Sequence, residues 1–217
     1  MNRMTDKILF ALFMQYFHCR SRLMRLFMRF HRIKEIFDYC YLRFHGVETS
    51  FGFVKLIGYP IIRKLDGSKI VIDKNVTLVS KSQGNFAGIN HPVILATLSS
   101  SAKIIIRSNV GISGSSICAA SEIIIDENAG LGANSSIYDT DFHPIDSGKR
   151  FIQTSMEGVK TMPIHIGKDV WINANALILK GVQIGESAIV AANAVVVKNV
   201  KEKTLVGGVP AHLIKVL

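Results

Sequence analysis

An aliphatic residue recurs at every sixth position between residues 166 and 196, and a second apolar series follows in the same register. The first series is Ile166, Ile172, Ile178, Ile184, Val190 and Val196. The second is Val170, Ala176, Val182, Ala188, Ala194 and Val200. Because 48% of the chain is hydrophobic, chance would place apolar residues at all twelve positions with a frequency on the order of 10⁻⁴. The period fits neither an α-helix nor a plain alternating strand, and it predicts a β-solenoid whose coils are built from six-residue sides.

Small and Asx residues occupy the positions between the two series. They are Gly167, Asp169, Asn175, Gly181, Gly185, Ser187, Asn193 and Asn199. These residue types tolerate tight turns and the left-handed αL conformation. We therefore expect a corner of the solenoid at the end of each hexad.

The repeat is less regular towards the N-terminus and divides the chain into two parts. Hexad spacing begins near Ile72, loses its register through residues 84–104, and is absent from 138–163. Because the repeat resumes at Ile164, residues 138–163 are interpreted as an insertion that leaves the solenoid, where solenoid proteins commonly place function. The predicted domains are a basic arm over 1–64 and a solenoid over 65–217.

The arm carries most of the charge of the protein. Residues 1–64 contain 12 Lys and Arg against 4 Asp and Glu, and the remaining residues contain 14 against 12. Residues 20–44 have a helical apolar pattern, with Leu23, Leu26, Phe27, Phe30, Ile33, Phe37, Cys40 and Tyr41 on one stripe. We expect this stripe to pack on the solenoid or on a neighbouring subunit. The alternative is an interfacial helix that contacts an anionic membrane.

The composition limits which cellular compartments and which classes of partner we expect for the protein. The apolar run 8–17 is too short to span a bilayer and lacks the features of a signal peptide. Three cysteines without close spacing favour a reducing compartment over a disulfide framework. We expect a cytoplasmic protein, with the arm a candidate for peripheral contact with the inner membrane. No nucleic-acid-binding module accompanies the basic arm, so nucleic acid is not an expected partner.

Two segments resemble a known family. The run PIHIGKDVWINANALILKGVQIGESAIVAANAVVVKNV (163–200) and the tail LVGGVPAHLIKVL (205–217) resemble the hexapeptide-repeat acyltransferases, closest to their sugar O-acetyltransferases. The resemblance implies a left-handed parallel β-helix with three hexads per coil. It also implies a homotrimer with active sites between subunits, acetyl-CoA as the donor and no metal.

Transfer of acetyl to a hydroxyl requires a base, because a hydroxyl is a poor nucleophile until its proton is removed. His143 lies in YDTDFHPID (138–146), and its match to the catalytic histidine of the family implies the role of general base. Asp141, two residues earlier, is a candidate for orienting the imidazole, and Asp139 for the same task or for binding sugar hydroxyls. Ser113 is a further candidate for sugar binding.

The resemblance also assigns a donor site. Ala174 and Ala192 match positions along which the pantetheine arm of CoA runs, Lys198 and Lys215 match positions near its phosphates, and Trp171 matches an aromatic at the thioester end. The expected acceptor is a sugar hydroxyl of a bacterial surface polysaccharide, either capsule or lipopolysaccharide.

Three other functions stay open from the sequence. One is N-acetylation of an amino sugar, a nucleotide-linked sugar or a small antibiotic. Another is a γ-carbonic-anhydrase-like metal site, for which His91, His143, His165 and His212 are the candidate ligands. The third is a scaffold without enzymatic activity.

Overall fold

The computed structural model describes residues 33–50 and 54–217. From residue 54 the chain coils through three sheets, sides A, B and C, whose neighbouring strands are parallel except at the C-terminus. Side A contains β3 (Lys69–Ile72), β6 (Lys103–Ile106), β9 (Glu122–Ile125), β12 (Ile164–Ile166) and β15 (Gln183–Ile184). Side B contains β1 (Val54–Ile57), β4 (Val76–Val79), β7 (Gly111–Ser113), β10 (Gly130–Leu131), β13 (Trp171–Ile172), β16 (Ile189–Val190), β18 (Thr204–Gly208) and β19 (Ala211–Val216). Side C contains β2 (Ile61–Arg63), β5 (Ile94–Thr97), β8 (Ser116–Ala119), β11 (Ser136–Tyr138), β14 (Leu177–Leu179) and β17 (Val195–Val196).

The hexad residues form the core of this three-sided prism. All twelve apolar residues of the two series are buried. Each inward side chain lies in register with its equivalent one coil away, as in the pairs Ile125 with Ile166 and Ile166 with Ile184. The six-residue period is confirmed as the length of one side plus its corner.

The corners between sides A and B carry a ladder of αL residues. Asn75, Asn109, Asn128 and Asp169 have φ values of 61°, 63°, 62° and 56°. Their side chains are hydrogen-bonded in sequence, since each amide donates to the Oδ1 atom of the next coil over 2.8–3.1 Å. The predicted use of Asx residues at the turns is confirmed, and these side chains also bond one coil to the next.

The solenoid begins earlier than the sequence pattern indicates. Strands β1 and β2 pair with β4 and β5. The boundary predicted between residues 64 and 65 is therefore wrong, and coiling is under way from Val54. The pattern missed this first part because its strands are separated by irregular segments rather than by hexad corners.

Two insertions leave the prism at different corners. Residues 139–163 lie between β11 and β12, at the corner between sides C and A, and contain the short helix α2 (Ser147–Phe151). Residues 80–93 lie between β4 and β5, at the corner between sides B and C, and contain a 3₁₀ turn over Ser82–Gly84. The sequence showed this second insertion only as lost register.

A helix, α1 (33–44), covers the N-terminal end of the prism. Leu42 and Val47 complete the core, and Tyr41 Oη donates to the Pro60 carbonyl over 2.6 Å. Residues 20–32 of the predicted helix and the apolar run 8–17 lie outside the described residues. In the part of the chain that the structure describes, no helix combines the length and apolar character needed to cross a bilayer.

We predict that Asn128→Ala lowers the melting temperature more than Asn128→Gly. Both variants lose the side-chain ladder, but alanine at φ 62° also bears the steric cost of the αL region, about 1–2 kcal/mol, which glycine avoids. Thermal unfolding of both variants beside the unmodified protein measures the difference. Equal melting temperatures would show that αL geometry at this corner contributes little.

Candidate active site

The two ends of the insertion 139–163 are hydrogen-bonded to each other where they leave the prism, and this part of the loop is called the neck. The backbone N–H of Asp141 donates to the Lys160 carbonyl over 3.1 Å, and that of Met162 donates to the Asp139 carbonyl over 2.9 Å. Lys180, from the next coil, places its Nζ 2.5 Å from Asp141 Oδ1. These contacts fix the base of the loop, so its first residues project from the prism in a defined direction.

His143 is exposed just beyond this neck, and Gln153 determines its tautomer. The amide Nε2 of Gln153 donates to the carbonyls of Phe142 and Ser155 over 3.1 and 2.9 Å. Its Oε1, an acceptor only, lies 2.8 Å from His143 Nδ1. Nδ1 must therefore carry the proton, and in the neutral imidazole the free lone pair is on Nε2.

The residue before His143 has an unusual backbone conformation. Phe142 has a φ of 60°, and its ring packs edge-on against Tyr138 with centroids 5.2 Å apart. This conformation turns the Phe142 carbonyl to Gln153 while the chain delivers His143 to the surface. Non-glycine residues held in αL are uncommon and cluster at functional sites.

His143 borders a shallow surface cavity of about 690 Å³. Its other walls are Leu98 and Ser99 from the prism and Arg150, Gln153, Thr154, Ser155 and Met156 from the loop. The hydroxyl, amide and guanidinium groups provide both donors and acceptors. Leu98 and Met156 add apolar surface, so the wall can contact a ligand that has both polar groups and apolar faces, as a sugar ring has.

Asp139 is not available to a substrate. Its side chain is fully buried, and its two oxygens accept from the backbone N–H groups of Ala120 and Ser121 over 2.6 and 2.7 Å. Burial raises the pKa of this carboxyl, while these N–H groups act in the opposite direction. The prediction that Asp139 orients the base or binds sugar is corrected, because the residue ties the corner of one coil to the coil before it.

Asp141 also differs from its predicted role. Its carboxylate pairs with Lys180, and only its backbone carbonyl meets His143, by accepting from the His143 N–H over 2.7 Å. Asp141 anchors the loop, and the group that contacts the imidazole is Gln153. No sequence pattern indicates Gln153, because it is ten residues away from His143 and its contact depends on how the loop folds back.

The residues assigned to the donor lie mostly on another part of the prism. Trp171 is 56% exposed on the outer surface of side B, in one register column with Gly111, Gly130 and Ile189. Lys215 continues that column through Leu205, and Ser113 lies at the end of β7 on the same side.

Ala174 and Ala192 occupy the corner between sides B and C in successive coils. Lys198 instead follows β17 at the corner between C and A, on the edge that carries His143.

Side B and the corner between C and A lie opposite each other in a three-sided prism. About six residues per side at roughly 3.3 Å each put the body of the prism, of the order of 15 Å, between them. His143 stays at its own corner, since Leu98 and Ser99 of that corner share its cavity. One chain therefore does not bring His143 and Trp171 together.

The other reactive side chains have separate environments. His165, on side A, places Nε2 2.7 Å from Asp126 Oδ2, and His91, in the 80–93 insertion, places Nδ1 2.8 Å from the Pro92 carbonyl. Within the described residues, no three His, Cys, Asp or Glu side chains group as a metal site would require. Burial raises the pKa of the Cys118 thiol to about 11, so this cysteine is protonated near neutral pH.

Residues 163–198 match the family model described as Bacterial transferase hexapeptide (six repeats). The match covers the part of the chain in which the six-residue period is most regular. A Saccharomyces cerevisiae protein provisionally named an acetyltransferase is 33% identical over 95 residues, which form 43% of this chain and 45% of that protein. The chain spans less than half of the length of the curated relatives it matches first.

Solved structures are similar over most of this chain. AntD, an N-acyltransferase from Bacillus cereus crystallised as a mutant with dTDP-4-amino-4,6-dideoxyglucose and Coenzyme A, has a TM-score of 0.59 at 21% identity and covers 81% of this chain and 87% of its own. The polySia specific acetyltransferase NeuO has a TM-score of 0.51 at 22% identity and covers 78% and 63%. At these identities the likeness shows the fold, which is the expected left-handed parallel β-helix.

We predict that Asp139→Asn and Asp141→Asn affect stability differently. An amide at 139 sets its NH₂ group against a buried backbone N–H, which costs about 1–3 kcal/mol of unfolding free energy. Asp141→Asn loses an ion pair at the surface, worth about 1 kcal/mol or less. Denaturation curves of the two variants make the comparison, and a larger loss for Asp141→Asn would overturn the structural role given to Asp139.

Proposed function

We propose that this protein is an acetyl-CoA-dependent O-acetyltransferase that acts on a sugar hydroxyl of a bacterial surface polysaccharide. The observation that carries the proposal is the Nδ1–H tautomer of His143, which leaves Nε2 as an exposed base beside a surface cavity. The hexapeptide repeat and the acetyltransferase relatives support acyl transfer. A shallow cavity open to the surface is also suited to one unit of a long glycan.

The chemistry assigned to these residues is direct transfer. His143 Nε2 takes the proton of the acceptor hydroxyl as its oxygen forms a bond to the acetyl carbon of the thioester. The imidazolium then gives that proton to the departing sulfur, so CoA leaves as the thiol and the neutral imidazole is regenerated. No acyl-enzyme is required, and the protonated state of Cys118 argues against that thiol as a nucleophile.

Side B is suited to the donor. Gly111 has no atom within 4 Å of the position that a Cβ would occupy, and a Cβ on Gly130 would stand 3.7 Å from Cδ1 of Trp171. The two glycines leave an open strip of backbone beside the exposed indole, which can take the narrow pantetheine chain. Lys215 lies further along the same column, where an ammonium can meet a phosphate of CoA.

We propose that the active site is shared by two copies of the chain in a homotrimer. The corner between sides C and A of one copy, with His143 and Lys198, would face side B of the next, with Trp171 and Lys215. An interface between two different surfaces closes into a ring when the rotation is a fraction of a full turn, and a three-sided prism suits a threefold ring. This arrangement would bring together the two groups of residues that a single chain keeps apart.

We predict that His143→Ala and Trp171→Ala are each poorly active but complement each other. Loss of the base should lower turnover at least about 10²-fold. In mixed trimers made by co-expression, about a quarter of the shared sites would combine an intact His143 with an intact Trp171, so activity returns to about that fraction. Turnover of acetyl-CoA with an accepted sugar measures it. His165→Ala, which alters an exposed histidine on side A, is the control and should keep turnover.

The same assay tests the shared site and the role of His143 as the base independently. A mixture that stays at the level of its parents would contradict a shared site, and near-normal turnover of His143→Ala alone would contradict the base. Acceptors presented in pairs, a sugar and its amino analogue, with products identified by mass, decide between O- and N-acetylation.

We predict that Gln153 acts through the protonation of His143. In Gln153→Glu the new carboxylate stabilises the imidazolium, so the acid limb of the kcat/KM profile moves to higher pH by about one unit. Gln153→Met keeps the side-chain length without an acceptor, so it should lower kcat and leave the acid limb without that upward shift. Equal profiles for the two variants would show that Gln153 only supports the loop.

A further inference from the structure

Helix α1 presents most of its apolar residues to the outside, while Asp38 is buried against the prism. Ile33, Ile36, Phe37 and Phe44 are 48%, 47%, 63% and 87% exposed, and Cys40 is exposed between them. Their spacing of three and four places them on one side of the helix, the outer stripe. Of the described residues in the predicted stripe, Tyr41 packs on the solenoid, whereas Ile33, Phe37 and Cys40 are exposed, so the expected packing on the same chain is wrong for these three.

The inner side of α1 explains this orientation. Asp38 is buried, forms an ion pair with Lys34, and accepts from the backbone N–H of Leu56 over 3.3 Å. Lys34 Nζ donates to the carbonyl of the same residue over 2.7 Å. Leu56 belongs to β1, the first strand of side B, so these side chains satisfy backbone groups at an open sheet edge. The helix needs Asp38 and Lys34 there, which leaves the outer stripe facing away from the described part of the prism.

The outer stripe lies at an end of the prism rather than on one of its sides. The segment that includes α1 contacts the first strand of each sheet, through Leu56 of side B, Pro60 before side C, and Glu48 bridging to Val71 of side A. Side-by-side association of prisms would bury the sides and leave this end open. Large exposed apolar residues in one stripe indicate a binding surface.

We propose that the outer stripe of α1 binds an anionic membrane surface. The charge of the adjoining chain selects this occupant over a second copy of the protein. Residues 1–32 contain seven Lys and Arg against one Asp, and Arg22, Arg25, Arg29 and Arg32 recur with helical spacing beside apolar residues that continue the phase of the stripe. An array of positive charge would repel its own copy and is attracted to acidic lipid headgroups.

Vesicle co-sedimentation of the full chain tests the proposal. We expect binding to phosphatidylglycerol-containing vesicles that weakens with added NaCl, and little binding to pure phosphatidylcholine. Phe37→Ser with Phe44→Ser should lower the partition coefficient at least about tenfold, because two exposed phenyl rings no longer enter the interface. The control is Phe86→Ser, which removes an even more exposed ring from the 80–93 insertion and should leave binding unchanged.

Three results would overturn the proposal. The first is no binding to acidic vesicles, and the second is equal binding by the double variant and the unmodified chain. The third is a smaller assembly for the double variant than for the unmodified chain when molar mass is measured by light scattering without lipid. That result would mean that the stripe joins copies of the protein. Unchanged circular dichroism and melting temperature verify that the double variant is folded.

Discussion

Stacking of aliphatic side chains along the prism is the interaction on which the rest of the structure depends. Each inward residue contacts its equivalents one coil above and below, at the spacing of roughly 4.8 Å between neighbouring strands. The stack from Ile72 through Ile106, Ile125 and Ile166 to Ile184 runs along side A without a break in register. Because every coil must return to this register, an added segment can only leave at a corner. The two insertions, 80–93 and 139–163, do so.

The corner that holds the candidate base is consequently rigid where it joins the prism. Asp139 accepts two N–H groups from the preceding coil, and Asp141 pairs with a lysine of the following coil. The loop that these residues anchor, closed by the hydrogen bonds of Asp141 with Lys160 and of Met162 with Asp139, can vary in sequence while its origin stays fixed. Gln153 then works inside the loop, where its amide is held by two carbonyls and its oxygen sets the imidazole proton. Precision at His143 therefore comes from successive layers of contacts, each resting on the stack of coils.

A feature could be predicted from the sequence when the residues that determine it are close together in the chain. Three features depend on residues near one another in the chain and can be predicted from it: the repeat, the αL corners and the insertion containing His143. Asp139 and Asp141 have roles other than the predicted ones, since their partners, Ala120, Ser121 and Lys180, belong to other coils. Gln153 was missed because its contact follows from the course of a 25-residue loop that has no repeat. The first coil was missed because its strands lack hexad corners between them.

The end of the solenoid shows why amphipathic patterns can mislead. A stripe of apolar residues on a helix is normally taken as its buried face, and for a helix lying on a side of the prism this would hold. At the end of a β-helix the surface to be covered is a sheet edge, whose free N–H and C=O groups require polar partners. Asp38 and Lys34 meet that need at Leu56, and only Leu42 and part of Tyr41 extend the core. The orientation of α1 is thus explained by backbone hydrogen bonding at the sheet edge, which leaves its apolar stripe exposed.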